Sequence, residues 1–270
     1  MNDFAIVFAT NEKFLSQALF MYEQLRTYGL EQYAWVVPLE NLQIEHLDSL
    51  HKYFGDRVTD TLHLPKKVKL SANKIFLPKM VPVMNRYVLI DTDIVIIDRG
   101  FINTFLNYPE ERVVLVGESF TWKEWLSFDS PSKLKMVLQL PHLLEQAYVQ
   151  TGSIGISRKV HENIFDAFVQ ELTSERTHKG DITIWNDWVG RIPDLFQIVE
   201  PHCCLVLRPD GSGPSSKLHI SDLTYKNGIL LYRNAPVMAL HFTSSKGISR
   251  NWNDYQSLVA TLKISQLDDA

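Results

Sequence analysis

Only two cysteines occur in 270 residues, Cys203 and Cys204, and they are adjacent. Neighbours in an extended chain point to opposite faces, so these thiols are poorly placed to bridge each other. No Asn-x-Ser/Thr sequon occurs either, and a reducing, cytoplasmic location without secretory processing is expected. Charge of one sign is also lacking: 27 Lys and Arg stand against 31 Asp and Glu, a net −4. That balance argues against nucleic acid or an anionic membrane as the main partner. No run approaches the roughly 18–20 apolar residues of a membrane span. Met1-Asn2-Asp3-Phe4 has no basic segment, so no signal peptide is expected. The stretch from Asn253 to Ala270 has no basic amphipathic face, which leaves at most peripheral membrane association.

The common nucleotide and hydrolase signatures are missing as well. There is no G-x-G-x-x-G, Walker A loop, G-x-S-x-G elbow, C-x-x-C or H-E-x-x-H, and Gly211 to Lys217 is only a glycine- and serine-rich loop. What remains is ordinary globular composition, 45% hydrophobic and 21% charged, on a chain long enough for a sizeable core.

The first third alternates in period. Phe4 to Ala9 reads as a strand closed by Thr10-Asn11. Phe14, Leu15, Ala18, Leu19, Tyr22 and Leu25 fall at helical spacing, with Gly29 as the cap. A strand from Tyr33 to Val37, a helix carrying Leu42, Leu47, Leu50, Tyr53 and Phe54, and a strand from Val58 to Leu64 follow. Strands are then expected at Arg112 to Gly117, Gln150 to Ser157, Phe196 to Val199, Cys203 to Leu207, Ile229 to Tyr232 and Val237 to Phe242. Helices are expected at Val160 to Leu172 and Asp181 to Val189, with short helical pieces between Ser119 and Tyr148. Such alternation predicts an α/β fold, a mostly parallel sheet with helices on both faces. Ligands of such sheets lie beyond the carboxyl ends of strands, which makes Ala9-Thr10-Asn11 a candidate ligand wall. Without a linker or repeat, a single domain is the simpler reading.

The segment richest in chemistry is Tyr87-Val88-Leu89-Ile90-Asp91-Thr92-Asp93-Ile94-Val95-Ile96-Ile97. Two carboxylates sit between apolar runs, and at i and i+2 of an extended chain they point to the same side. Like charges held together away from water repel, and a divalent cation between them is the natural remedy. Hard oxygen ligands suit Mg²⁺ or Mn²⁺. The competing reading of the pattern is an Asp-rich turn joining two strands. A third ligand is wanted, and His241, which follows Val237-Met238-Ala239-Leu240 and precedes a polar loop with Lys246, is the best candidate. A histidine at a strand end can also be purely structural. An imidazole in the set favours Mn²⁺.

Six pieces in order resemble the family-8 glycosyltransferases of the GT-A fold, the glycogenin group and its bacterial relatives. Phe4 to Asn11 resembles the family's opening strand and uridine loop. Lys74, ahead of Phe76-Leu77-Pro78-Lys79, is similar to its basic residue before the D-x-D, here Asp91-Thr92-Asp93. Val149-Gln150-Thr151-Gly152-Ser153 resembles the F-N-(A/S)-G turn, and Gly180-Asp181 to Asn186 the G-D-Q-x-x-L-N stretch. His241-Phe242-Thr243, Lys246 and Trp252 resemble the closing H-F-x-G-x-x-K-P-W. The chain departs from that pattern at Ile182, at Gln150 and in the spacing around Lys246, where Arg250 is an alternative phosphate partner.

The resemblance implies a single GT-A-type domain over 1–270, with a nucleotide-binding part to about 118, a sugar and acceptor part from about 119 to 252, and a tail. It implies a UDP-sugar donor, a glycan, lipid-linked or protein acceptor, and retention of anomeric configuration. Asp91, Asp93 and His241 would hold the metal. Ala9, Thr10, Asn11, Thr92, Gly152 and Lys246 would contact the nucleotide or its phosphates, together with Asp91, Asp93 and Lys74. Lys74, Gln150 and Asp181 would contact the donor sugar. By pattern alone Lys74 is also a solvated lysine and Asp181 a helix N-cap. The pairs Trp122/Trp125 and Trp185/Trp188 fit core packing better than stacking on a sugar. A non-catalytic nucleotide-sugar or glycan-binding protein, and a D-x-D phosphohydrolase, are the competing readings.

Overall fold

The computed structural model describes residues 3–126, 140–174, 180–207, 223–227 and 229–242. The chain divides into two compact units. One comprises Met1–Thr92, Ile102–Gly117 and Val149–Val199; the other comprises Asp93–Phe101, Glu118–Tyr148 and Glu200–Ala270.

The first unit is built on a six-stranded sheet. Its strands are β1 (Phe4–Thr10), β2 (Ala34–Pro38), β3 (Arg86–Ile90), β5 (Val113–Thr121), β6 (Ala147–Ser157) and β7 (Phe196–Val199), in the order β2-β1-β3-β6-β5-β7. β1 runs parallel to β2 and β3, and β5 to β7, while β6 runs antiparallel to β3. Both faces of β1 are buried, as expected of an interior parallel strand. Ala5 and Val7 face one core with Leu89, Leu115 and Ile156, closed by helix α5 (Arg158–Thr173) and helix α6 (Asp181–Arg191) through Ile164, Phe168, Ile184 and Trp185. Phe8, pointing the other way, meets Phe54 of helix α2 (Ile44–Phe54), which is flanked by Tyr22 of helix α1 (Leu15–Thr27). Helices therefore cover both faces.

Local chemistry sets the ends of these elements. Gly29, just past α1, has φ +66, where a Cβ would be strained. Ser157 caps α5 by accepting the Val160 N–H. Gly155 is fixed by crowding: a Cβ there would come within 3.0 Å of the Phe105 carbonyl.

In the second unit, β4 (Ile94–Ile96), β8 (Leu205–Leu207) and β12 (Ala239–Phe242) form a three-stranded sheet in the order β4-β12-β8. β9 (Leu223–Lys226), β10 (Ile229–Tyr232) and β11 (Ala235–Pro236) form a small antiparallel one. Two shorter helices are α3 (Gly100–Leu106) and α4 (Trp122–Leu126).

Two expected strands are corrected. Val58 to Leu64 makes a single bridge, Val36 to Val58, and then only isolated bonds to β2, because Asp60 and Pro65 interrupt the run. The strand expected from Cys203 starts at Leu205, since Pro201 opens a 3-10 turn through Cys203. Both cysteines are buried, and no disulfide joins them.

Candidate active site

The D-x-D lies where the chain leaves one sheet and enters another: β3 ends at Ile90 and β4 begins at Ile94. Asp91-Thr92-Asp93 is a turn rather than extended chain, so strand alternation does not align its carboxylates. Other bonds do so. The Asp91 N–H donates to the Gly152 carbonyl at 2.7 Å. Thr92 Oγ1 donates to Gln17 Oε1 at 3.3 Å, a buried α1 partner that periodicity did not single out. Asp93 is held from the other side, because its carbonyl accepts the Phe242 N–H at 2.9 Å and His241 pairs with Ile94 across β12 and β4.

That register brings His241 Nε2 to 3.2 Å from Asp93 Oδ1. Asp93 Oδ1 is buried and has no hydrogen-bond partner, so the two atoms face each other without hydrogen-bond geometry. Asp91, Asp93 and His241 each offer one ligand atom, and these atoms lie within 4.8 Å of one another. This is a candidate Asp-x-Asp metal site.

Lys74 is the ion-pair partner of Asp91. Its Nζ lies 2.5 Å from Asp91 Oδ1, with the lysine side chain 5% exposed and the aspartate 37%. The alternative of a solvated lysine is thereby removed. A buried ammonium needs its counter-charge, and Asp91 supplies it.

Asp181 is the first residue of α6, and the N-cap is Gly180. It is therefore a first-turn carboxylate and not the cap. Burial pushes its pKa up to about 6; Lys74 and the backbone N–H groups of Asp181 and Ile182 pull it down, and Asp91 pushes it further up. Its Oδ2 is buried with no hydrogen-bond partner. A buried carboxyl with a raised pKa and one oxygen short of a hydrogen-bond partner is a group ready to bond a ligand.

Gln150 is buried on β6. The neighbouring Val149 is clamped by Asn186 of α6, which accepts its N–H at 2.8 Å and donates to its carbonyl at 2.9 Å and to the Ile182 carbonyl at 2.7 Å. One fully buried amide thus ties the strand bearing Gln150 to the helix bearing Asp181. At the carboxyl end of β1, Thr10 is buried and Asn11 caps the turn Glu12–Phe14 by accepting the Phe14 N–H, while Ala9 is half-buried.

Trp122 packs on Tyr148, and Trp185 and Trp188 pack on Phe168, so these three rings are core. The Trp125 side chain, the loop from Arg208 to Lys217, Lys246, Arg250 and Trp252 lie outside the described residues. Among the described residues no helix is long and apolar enough to cross a membrane.

No protein-family profile matches the chain, and no curated protein matches it by sequence. Solved structures do. The bifunctional glycosyltransferase WbbM superposes with a TM-score of 0.57 at 14% identity over 82% of this chain, which spans only 43% of WbbM's length. The galactosyltransferase LgtC, solved with donor and acceptor sugar analogues, gives 0.57 at 11% identity over 90% of this chain and 88% of its own. Mouse xyloside xylosyltransferase 1 gives 0.55 at 12% identity, covering 88% and 97%. Likeness at this identity speaks for architecture alone, and in architecture the chain has the GT-A-type α/β fold.

Proposed function

We propose that the protein is a metal-dependent glycosyltransferase, moving a hexose or pentose from a UDP-sugar to a hydroxyl of a glycan, lipid-linked or protein acceptor. The observation that carries this reading is the convergence of Asp91, Asp93 and His241 beyond the carboxyl end of β3, in a fold whose ligands gather there. Two carboxylates and an imidazole, one carboxylate oxygen buried without a hydrogen-bond partner, fit Mn²⁺ or Mg²⁺. Bound there, the ion would supply Lewis-acid stabilisation of the charge on the departing diphosphate.

The chain's own residues supply the remaining roles. Lys74 pairs with Asp91 Oδ1 and fixes how that carboxylate is turned. Asp181, buried and without a hydrogen-bond partner at Oδ2, hydrogen-bonds a donor-sugar hydroxyl, with Gln150 alongside. Ala9, Thr10 and Asn11 line the uridine through backbone groups, Thr92 and Gly152 hold the turn, and Lys246 meets the diphosphate. Configuration is retained by same-side attack of the acceptor hydroxyl, whose proton passes to the leaving phosphate, because Ile182 offers no nucleophile.

The test is calorimetric titration of UDP in Mn²⁺ and in EDTA, on wild type and Asp93→Ala, followed by a UDP-sugar turnover screen. Tight binding only with metal, lost in the variant, supports the reading. UDP binding with neither transfer nor donor hydrolysis would make the chain a nucleotide-sugar-binding protein, and release of phosphate from phosphomonoesters a hydrolase. No binding of UDP, GDP or dTDP under any metal condition removes the proposal. An inverted product anomer removes retention alone.

A further inference from the structure

Lys74 reaches Asp91 from a segment with a built-in backbone defect. Residues Lys74–Lys79 form a 3-10 helix, in which each carbonyl accepts from the N–H three residues on. For the Ile75 carbonyl that donor would be residue 78, and residue 78 is proline, which has no N–H. Ile75 is buried, so water is a poor substitute, and a buried carbonyl short of a donor is destabilising.

The missing donor comes from elsewhere in the chain. His161 lies on the buried stripe of α5 beside Val160, Ile164 and Phe168, and is itself 3% exposed. Its Nε2 stands 2.8 Å from the Ile75 carbonyl. A carbonyl only accepts, so Nε2 carries the hydrogen and donates. The neighbouring turn of α5 grips the same segment: Phe165 meets Phe76 edge-on at 5.6 Å, and Lys79 lies 3.4 Å above the Phe165 ring. Ile75 is the residue next to Lys74, so its peptide orientation sets where the lysine stem starts.

We propose that His161 is a positioning residue for Lys74: by donating Nε2–H to the Ile75 carbonyl left short by Pro78, it fixes the turn that aims Lys74 at Asp91. A shift of the 74–75 peptide withdraws the ammonium from Asp91 and leaves that carboxylate to turn. The placement of Lys74 stands on geometry alone; the consequence for turnover rests on the transferase reading.

The experiment compares wild type, His161→Phe, His161→Gln and the double variant His161→Phe with Pro78→Ala, all as the full chain in EDTA. The readout is the rate of reductive methylation of Lys74, followed by mass spectrometry. In wild type the buried lysine is protected. His161→Phe keeps a ring of similar volume without a donor, and Lys74 labelling is expected to rise about 5- to 30-fold, the effect of one lost buried hydrogen bond. His161→Gln, which restores an N–H donor, is expected to stay within a few-fold of wild type. The double variant is the sharpest arm, because Pro78→Ala returns a backbone N–H to the Ile75 carbonyl and should restore protection without His161. Should His161→Phe fail to fold, folding and protected Lys74 in the double variant still support the proposal.

Equal Lys74 labelling in wild type and His161→Phe overturns it, as does a rise that neither His161→Gln nor Pro78→Ala reverses. Where wild type shows transfer, His161→Phe should lower turnover in the wild-type background and add nothing in a Lys74→Ala background. A purely structural histidine would lower both alike. Absence of transfer by wild type would sink the transferase reading and leave the labelling result standing.

Discussion

Asp181→Asn is expected to make the fold more stable while it damages the site, and the structure says at which pH. The carboxyl is buried at the first turn of α6, and burial pushes its pKa from 3.8 up to about 6. A shift of about two units, at roughly 1.36 kcal/mol each, is on the order of 3 kcal/mol. In the unfolded chain the group loses its proton near 3.8, whereas in the folded chain it keeps it to about 6. Between those values the native state binds more protons, so raising the pH erodes stability. The contribution is fully present below about pH 4 and gone above about pH 6–7.

Asparagine has no proton to lose. The stability difference, variant minus wild type, should be flat below about pH 4, climb between 4 and 6, and level off about 3 kcal/mol higher at pH 7–8. At roughly 2–4 °C per kcal/mol for a chain of this size, that is about 6–12 °C in Tm. Urea or thermal denaturation in EDTA from pH 4 to 8 measures it. A pH-independent difference, or a variant that loses stability relative to wild type as pH rises, would refute the reasoning. A carboxylate that weakens its own fold at neutral pH, in a variant that also loses transfer, is the behaviour of a group kept for function.

Asn186→Leu is expected to cost about 2–4 kcal/mol by chemical denaturation, because it strands the buried Val149 N–H and carbonyl together. Cys203 and Cys204 should resist a thiol reagent in the native state and react together with global unfolding, since both are buried and burial pushes the Cys203 thiol up. Rapid native labelling of either would contradict that packing.

The sequence was legible where the information is local. The β1-α1-β2-α2 run is written in period and caps, from Phe4 through the glycine at 29 to Phe54. Where local signals were weak, the reading slipped. Val58 to Leu64 has strand composition, but Asp60 interrupts it and only one bridge to β2 forms. β11 was missed because it is two residues long, and it follows β10 through Arg233 and Asn234, both at positive φ without a glycine to mark them.

By itself the sequence determined the fold class, the β1-α1-β2-α2 run, and the residue types able to bind a metal. Those follow from periodicity and from the chemistry of single side chains, which need no partner to be read. Tertiary structure alone decided which groups meet. It reversed β6 against β3, a direction that no local pattern encodes. It set His241 beside Asp93 through the register of β12 on β4, and made Lys74 the buried partner of Asp91. It also satisfied the Ile75 carbonyl from α5, 86 residues away. Periodicity says which side of an element is buried, whereas pairing, register and polar satisfaction depend on what that side is buried against.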